Sequence, residues 1–317
     1  MRSSKKSVVW LAGMALLLSL FMAGPVVADD GKAALKHIPK ETMLVVSINM
    51  KRLKGSSLYK EALGMVMADP SAKADFDKLK EATGFDIEKD LDGLVIAAAA
   101  DFEESEQFLL IAKGNFDEKK FIEFAKSEGA NIKTAEHGGL TYYDVDDEAG
   151  MAFTDGYLVI GPKPALKAAI DTKAGKMDSV EKHSGLGGMF GTVDTSKDLW
   201  FAMELPESVR QELGREAPMG SDVEKVWGAL DLNAGLALDV TVGTAKADTA
   251  TQLEALAQQG LAEAAKDPNV AQLGLDKALA GTKVKADGKN LVVNIKLSEE
   301  ELNKIKGMLG AMMGGGF

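Results

Sequence analysis

Ser57-Leu58-Tyr59-Lys60 is the stretch of this 317-residue chain that comes nearest to an enzyme nucleophile. In penicillin-recognising enzymes an S-x-x-K at a helix start holds a lysine one turn from the attacking serine. Those enzymes also need S-D-N or S-x-N later in the chain and then K-T-G. Here Ser47-Ile48-Asn49 comes earlier and K-T-G does not occur. Ser57 therefore reads as the exposed start of a helix.

The other motif matches each lack an element that their chemistry requires. Gly185-Leu186-Gly187-Gly188-Met189-Phe190-Gly191 resembles a dinucleotide loop but misses the final glycine spacing, a preceding strand and an acidic partner. Asp144 to Gly150, "DVDDEAG", resembles a calcium loop with alanine at the sharp-turn position and Asp155 where the closing glutamate belongs, and is read as an acidic turn. His37, His137 and His183 are dispersed, none with a second histidine three or four residues away. Met308, Met312 and Met313 suit adaptable packing of a last helix better than a soft metal. Lys51, Arg52 and Lys54 beside a helix start at Ser56-Ser57 form a basic cluster, read as solvated charge. No cofactor, metal site or catalytic residue is expected from these patterns.

Two features are candidate contact surfaces, with joint-filling between the units the alternative for the tyrosines and plain fraying for the tail. Tyr142 and Tyr143 are neighbours in a predicted strand, so their rings point to opposite faces and one is exposed unless both faces are covered. Phe317 ends the chain after three glycines, a tail that could reach into a groove on another protein.

These residues sit on a regular alternation of elements. Leu44, Val46, Ile48 and Met50 alternate with Val45, Ser47 and Asn49, the period of a strand with one buried face. A helix follows with Leu58, Ala62, Met65 and Val66 on one side, then a shorter one carrying Phe76 and Leu79. "GLVIAAA" (93 to 99) and "QFLLIAK" (107 to 113) read as paired strands around the acidic loop "DFEESE". A helix with Phe121, Phe124 and Ala125 inward ends at Gly129, short strands turn at His137-Gly138-Gly139 and Asp155-Gly156, and a helix starting at Pro164 buries Leu166, Ala169 and Ile170.

A similar order returns downstream. "LWFAMEL" (199 to 205) is followed by a helix and by a strand pair within "ALDLNAGLALDVTVG". Next come a long helix with the stripe Leu253, Leu256, Ala257, Leu261 and Ala264, and a hairpin at Asp287-Gly288. A last helix is started by a Ser298/Glu301 capping box. The predicted fold is α+β: two related units of antiparallel sheet with helices packed on one face, at 38–175 and 195–313, joined by a polar, glycine-rich linker at 176–194 and ending in a flexible tail at 314–317.

Residues 1–28 read as a signal peptide. Arg2, Lys5 and Lys6 precede an apolar run from Val8 to Ala23, and Val26-Val27-Ala28 offers a small-residue cleavage site. Cleavage after Ala28 starts the mature chain at Asp29; an uncleaved leader is the alternative, and the only expected route to the membrane. Loss of the three basic leader residues takes the net charge from −11 to −14, which disfavours nucleic acid and anionic headgroups as partners. With no cysteine, disulfides, thiol catalysis and lipid attachment at a cleavage-site cysteine are excluded.

"HIPKETMLVVSINMKRLKGSSLY" resembles the opening of exported bacterial proteins of unknown function in which a proline-led strand enters a helix and a related α+β unit recurs downstream. The resemblance implies an exported two-unit protein and brings no activity or site residues.

Three function classes follow, in this order: a non-catalytic binding or interaction protein of the cell envelope, a periplasmic carrier or chaperone for hydrophobic small ligands, and a hydrolase whose site is assembled from distant residues.

Overall fold

Residues 31–99, 107–217, 219–268, 270 and 275–312 are described by the computed structural model. The leader with its cleavage point, the acidic loop 101–106 and the tail with Phe317 lie outside them. The chain divides into two compact units between Gly187 and Gly188, inside the stretch read as a linker.

The first unit is an antiparallel sheet of seven strands. In chain order these are β1 (Leu44–Ile48), β2 (Leu91–Ala98), β3 (Phe108–Gly114), β4 (Ile132–His137), β5 (Leu140–Val145), β6 (Ala149–Thr154) and β7 (Tyr157–Pro162). Their order across the sheet is β1-β2-β3-β7-β6-β5-β4, so β4 to β7 form a meander whose last strand returns beside β3. Tight turns make this possible: Gly138 and Gly139 between β4 and β5, and Asp155 and Gly156 between β6 and β7, all have positive φ. The longer helices that accompany the sheet are α1 (Ser57–Ala68), α2 (Pro70–Thr83), α3 (Glu118–Ser127) and α4 (Lys163–Lys173). Asp69 caps α2 by accepting from the Ser71 and Ala72 amides, and Asp117 caps α3 by accepting from that of Lys120.

Helices cover both faces of this sheet, where the sequence reading placed them on one. Adjacent residues of β5 and β6 prove it, because they point opposite ways. Asp144 and Gly150 face α4, through the Asp144–Lys163 ion pair (2.9 Å) and the close approach of Gly150 to Leu166. Tyr143 and Phe153 face α3, against Phe121. β7 is accordingly buried along its whole length. In β1, Val45 and Ser47 are as enclosed as Ile48. Periodicity reports the hydrophobic side of a strand; it is silent about a small or polar side that a neighbour happens to cover. On α1 the buried residues are Tyr59 and Leu63, and Met65, expected inward, is exposed.

The stretch 176–194 is packed. Its Val180 amide donates to the Ile38 carbonyl (2.8 Å) and the Lys40 amide to that of Asp178 (3.1 Å), while Val180 and Leu186 are fully buried. In the second unit Phe190 lies edge-on to the Trp200 ring (5.8 Å, 72°). Its apolar residues are too irregularly spaced to show a period, so composition alone makes it look like a connector.

The second unit contains β8 (Leu199–Glu204), α5 (Glu207–Glu216), β9 (Val223–Asp231), β10 (Leu236–Thr244), α6 (Ala247–Ala264), α7 (Asp276–Gly281), β11 (Lys283–Asp287), β12 (Asn290–Leu297) and α8 (Glu299–Met312). The strand order is β8-β9-β10-β12-β11, again antiparallel throughout. β9 begins at Val223, ahead of the predicted strand pair, because Glu224 and Lys225 interrupt its alternation. The predicted capping box of α8 forms: the Glu301 amide donates to Ser298 Oγ (3.3 Å) and Glu301 Oε2 accepts from the Ser298 amide (2.7 Å).

Gly235, between β9 and β10, has φ +107°, and a Cβ there would lie 2.0 Å from the Leu297 carbonyl oxygen. Gly235→Ala is expected to cost about 3 kcal/mol, combining backbone strain with displacement of a neighbouring strand end. Gly288→Ala, with φ +58° and open space around it, meets the strain alone and should cost about 1 kcal/mol. Urea unfolding midpoints of the two variants check the difference.

Candidate functional site

Residues directly paired across antiparallel strands share a face, so the registers of the second unit sort its side chains into two sets. On one face β8 contributes Leu199, Phe201 and Met203, opposite Leu230, Gly228 and Val226 of β9. Leu238, Val240 and Val242 of β10 continue the row, followed by Ile295, Val293 and Leu291 of β12 and by Val284 and Ala286 of β11. Leu236 and Leu297 pair at its end. Every position is apolar. The other face carries Asp239, Thr241, Asn294, Lys296, Lys283 and Lys285 along the same strands, with Trp200 and Ala202 buried on β8.

The apolar face is only half covered. Of its sixteen residues, Gly228 and Leu291 are buried and the other fourteen are intermediate in exposure. α6, the longest helix in the unit, packs mainly against edge strand β11 and also meets β12 and β10. Its Glu254 Oε2 accepts from the Ala286 amide (3.0 Å) and its Gln258 Nε2 donates to the Val284 carbonyl (3.4 Å), the outward-pointing groups of edge strand β11. A helix in that place blocks edge-to-edge pairing. Of its predicted stripe Leu253, Ala257, Leu261 and Ala264 are half-buried, while Leu256, expected to be inward, is 53% exposed. Fourteen half-covered apolar side chains leave on the order of a few hundred Å² of greasy surface, the range in which a patch on a soluble protein marks a binding site.

The residues that the sequence singled out are not brought together. Tyr142 is 6% exposed, with the Lys167 ammonium 5.7 Å from its ring centre, so it is no contact surface. Tyr143 is half-buried and its hydroxyl donates to Glu118 Oε1 (2.6 Å), which with burial pushes its pKa up to about 12. Phe317 lies outside the described residues. Lys60 Nζ donates to the Gly55 carbonyl (3.0 Å), so the S-x-x-K lysine is engaged away from Ser57. The acids of 144–150 diverge: Asp144 pairs with Lys163, Asp146 accepts from the Asn131 amide (2.9 Å) and Asp147 pairs with Lys133 (2.7 Å). Lys51 is paired with Asp92 (2.7 Å) and Lys54 Nζ donates to the Leu91 carbonyl (2.5 Å). His183 Nδ1 accepts from the Gly185 and Leu186 amides (3.0 and 3.1 Å) and so starts a short helix inside the glycine run. Among the described residues no group of three or more His, Asp or Glu side chains is placed to hold a metal ion, and no helix is long and apolar enough to cross a membrane.

His37, which the sequence suggests is a surface or turn residue, ends a 3₁₀ turn (Lys32–His37) but is 2% exposed and leans on the Tyr157 ring (5.1 Å, 52°). Nothing in the local sequence signals this. Burial, helped by the Lys173 and Lys113 ammonium groups and opposed by Asp155, lowers its pKa from 6.5 to about 4. The unfolded chain therefore takes up this proton before the folded one does. The stability tied to neutral His37, about 3 kcal/mol, is present above pH 6.5 and is lost as pH falls from there to about 4. The expected result is that a His37→Gln variant lacks this portion of the acid destabilisation. Urea unfolding of both proteins between pH 7 and 4 measures it.

No family profile matches the chain, and no curated protein sequence matches it. Among solved structures the chain is similar to TP0453 in two crystal forms. Form I has 12% identity and a TM-score of 0.48, covering 87% of this chain and 97% of that one. Form IV has 11% identity and a TM-score of 0.49, covering 86% and 95%.

Proposed function

We propose that this is an exported, non-catalytic binding protein of the bacterial cell envelope, and that its second unit holds a hydrophobic ligand against the apolar face of its sheet. The carrying observation is that face: five strands whose sixteen paired positions carry no polar side chain, fourteen of them half-buried. An apolar ligand gains about 25 cal/mol for each Å² it buries there and needs no residue of special chemistry. That accounts for a chain in which each enzyme motif is incomplete. The tripartite leader supports export and the acidic balance supports a partner other than nucleic acid.

The proposal includes an internal duplication. β1, α1, the β2–β3 pair, α3, the β6–β7 hairpin and α4 follow one another as do β8, α5, the β9–β10 pair, α6, the β11–β12 hairpin and α8. The strand orders correspond if β4 and β5 are an insertion at the edge of the first unit. On this reading the copies diverged in what their sheets face: helices on both sides in the first, an open apolar side in the second.

Protein purified from its native envelope tests the reading. Intact mass should show a mature chain starting at Asp29, and solvent extraction followed by mass spectrometry should release a co-purified apolar compound at near one equivalent. An intact Met1 start would defeat cleavage, and a clean extract that also fails to take up an added apolar dye would defeat the ligand reading.

A further inference from the structure

A pocket of about 250 Å³ lies in the first unit, between α4 and the ends of β2 and β3. Alanines open it. Ala97 pairs with Leu109, and one step further the Ala99 amide donates to the Gln107 carbonyl (3.0 Å), so these four residues share one face of the sheet and its extension. Ala165 and Ala168 of α4 line the opposite wall. Methyl groups on both walls are too short to close the space between helix and strands.

Three polar side chains join the lining: Glu41, Thr42 and Gln107. The Met43 amide donates to the Ala98 carbonyl (2.9 Å), which sets Glu41 and Thr42 beside the ends of β2 and β3. Glu41 and Gln107 are exposed and stand at the mouth, whereas Thr42 is 6% exposed. None of the three side chains forms a hydrogen bond or ion pair with a described residue. The Thr42 hydroxyl is also not one of the fully enclosed polar atoms, so a molecule in the pocket can reach it. No lysine, arginine or histidine lines the pocket.

We propose that this pocket is a binding site for a small primary amine on an apolar body, about the size of a phenyl ring with a two-carbon arm. Each part of the description follows from the wall. A cavity near 150 Å³ lined by aliphatic side chains accommodates benzene, so the larger volume here takes a ring and a short arm. An ammonium carries three donors and no acceptor, and Glu41, Thr42 and Gln107 each present an acceptor oxygen. Its hydrogen bonds to the Glu41 carboxylate are charge-assisted, which a neutral hydroxyl cannot match. A carboxylate ligand would meet Glu41 with no cation in the lining to offset the repulsion.

2-Phenylethylamine, 2-phenylethanol and phenylacetate, near-equal in shape, separate the terms when titrated into the purified protein at pH 7. Calorimetry reads affinity, and methyl spectra of protein labelled at threonine read the site. The amine should bind about fivefold more tightly than the alcohol, a modest ratio because Glu41 is exposed, and phenylacetate most weakly. The amine should also shift the Thr42 methyl resonance. Glu41→Gln should remove the preference for the amine and leave the alcohol's affinity unchanged. Ala168→Leu, which fills the pocket from a half-buried helix position, should abolish binding of both. Equal affinity of the native protein for amine and alcohol would overturn the role of Glu41, as would a preference that survives Glu41→Gln. Tightest binding of phenylacetate would overturn the cationic head group. An unmoved Thr42 resonance, or amine binding that survives in a folded Ala168→Leu variant, would overturn the site, as would failure of all three compounds to bind. If the leucine variant does not fold, the native protein and Glu41→Gln still decide.

Discussion

Val240→Glu is expected to lower the affinity for an apolar ligand by on the order of 100-fold while the protein stays folded. Val240 sits on β10, the central strand of the second unit, between Gly228 on β9 and Val293 on β12, in the middle of the apolar face. It is half-buried, so a glutamate side chain there reaches water in the free protein. A ligand laid over it must strip that water from a carboxylate with no cation in the same row to receive it, and the desolvation opposes binding directly. Lys296→Glu, exposed on the opposite face, changes charge by a larger amount and should leave affinity unchanged. Titration with N-phenyl-1-naphthylamine, whose emission rises in apolar surroundings, reads both, with circular dichroism as the check on folding. Unaltered dye affinity in the Val240 variant would mean that the face is not the site.

Trp200→Ala should destabilise the protein by about 3–5 kcal/mol. Trp200 is 1% exposed, on the polar-edged face of the second unit's sheet, and the Phe190 ring packs edge-on against it. Loss of the indole leaves a void that a β-strand backbone cannot collapse to fill. Phe190→Ala should be similarly damaging, since Phe190 is buried although it lies in a glycine-rich stretch. The double variant should be less harmful than the sum, with a coupling of about 0.5–1.5 kcal/mol from the aromatic pair. Denaturant unfolding of the three variants gives the cycle. Additive losses would show that the two rings are energetically independent, and a harmless Phe190→Ala would restore the view of 176–194 as a mere connector.

Local signals account for much of the element order. The positive-φ turns at Gly138-Gly139 and Asp155-Gly156 and the Ser298/Glu301 capping box stand where residue type placed them, because their causes lie within four residues. The alternation of Leu238, Val240 and Val242, and of Leu291, Val293 and Ile295, likewise marked one apolar side on each strand. What alternation could not report was the cover over that side. The apolar stripe on α6 is half-buried at Leu253, Ala257, Leu261 and Ala264, but Leu256 is exposed, and Glu254 and Gln258 tie the helix to edge strand β11 by hydrogen bonds to residues more than two dozen positions away.

By itself the sequence determined the α+β class, the antiparallel hairpins, the absence of thiol chemistry and the incompleteness of every enzyme motif, all properties of residue type and short-range spacing. Tertiary structure decided which surfaces are covered. It enclosed Tyr142 and engaged Tyr143, packed the glycine-rich stretch, left one sheet face half open, and buried His37 with its Nε2 unpartnered among the described residues. The physical reason is one of range. Turn and cap chemistry is paid within a few residues, whereas burial is the sum of contacts from segments scattered over more than a hundred positions, and no single stretch of chain records that sum.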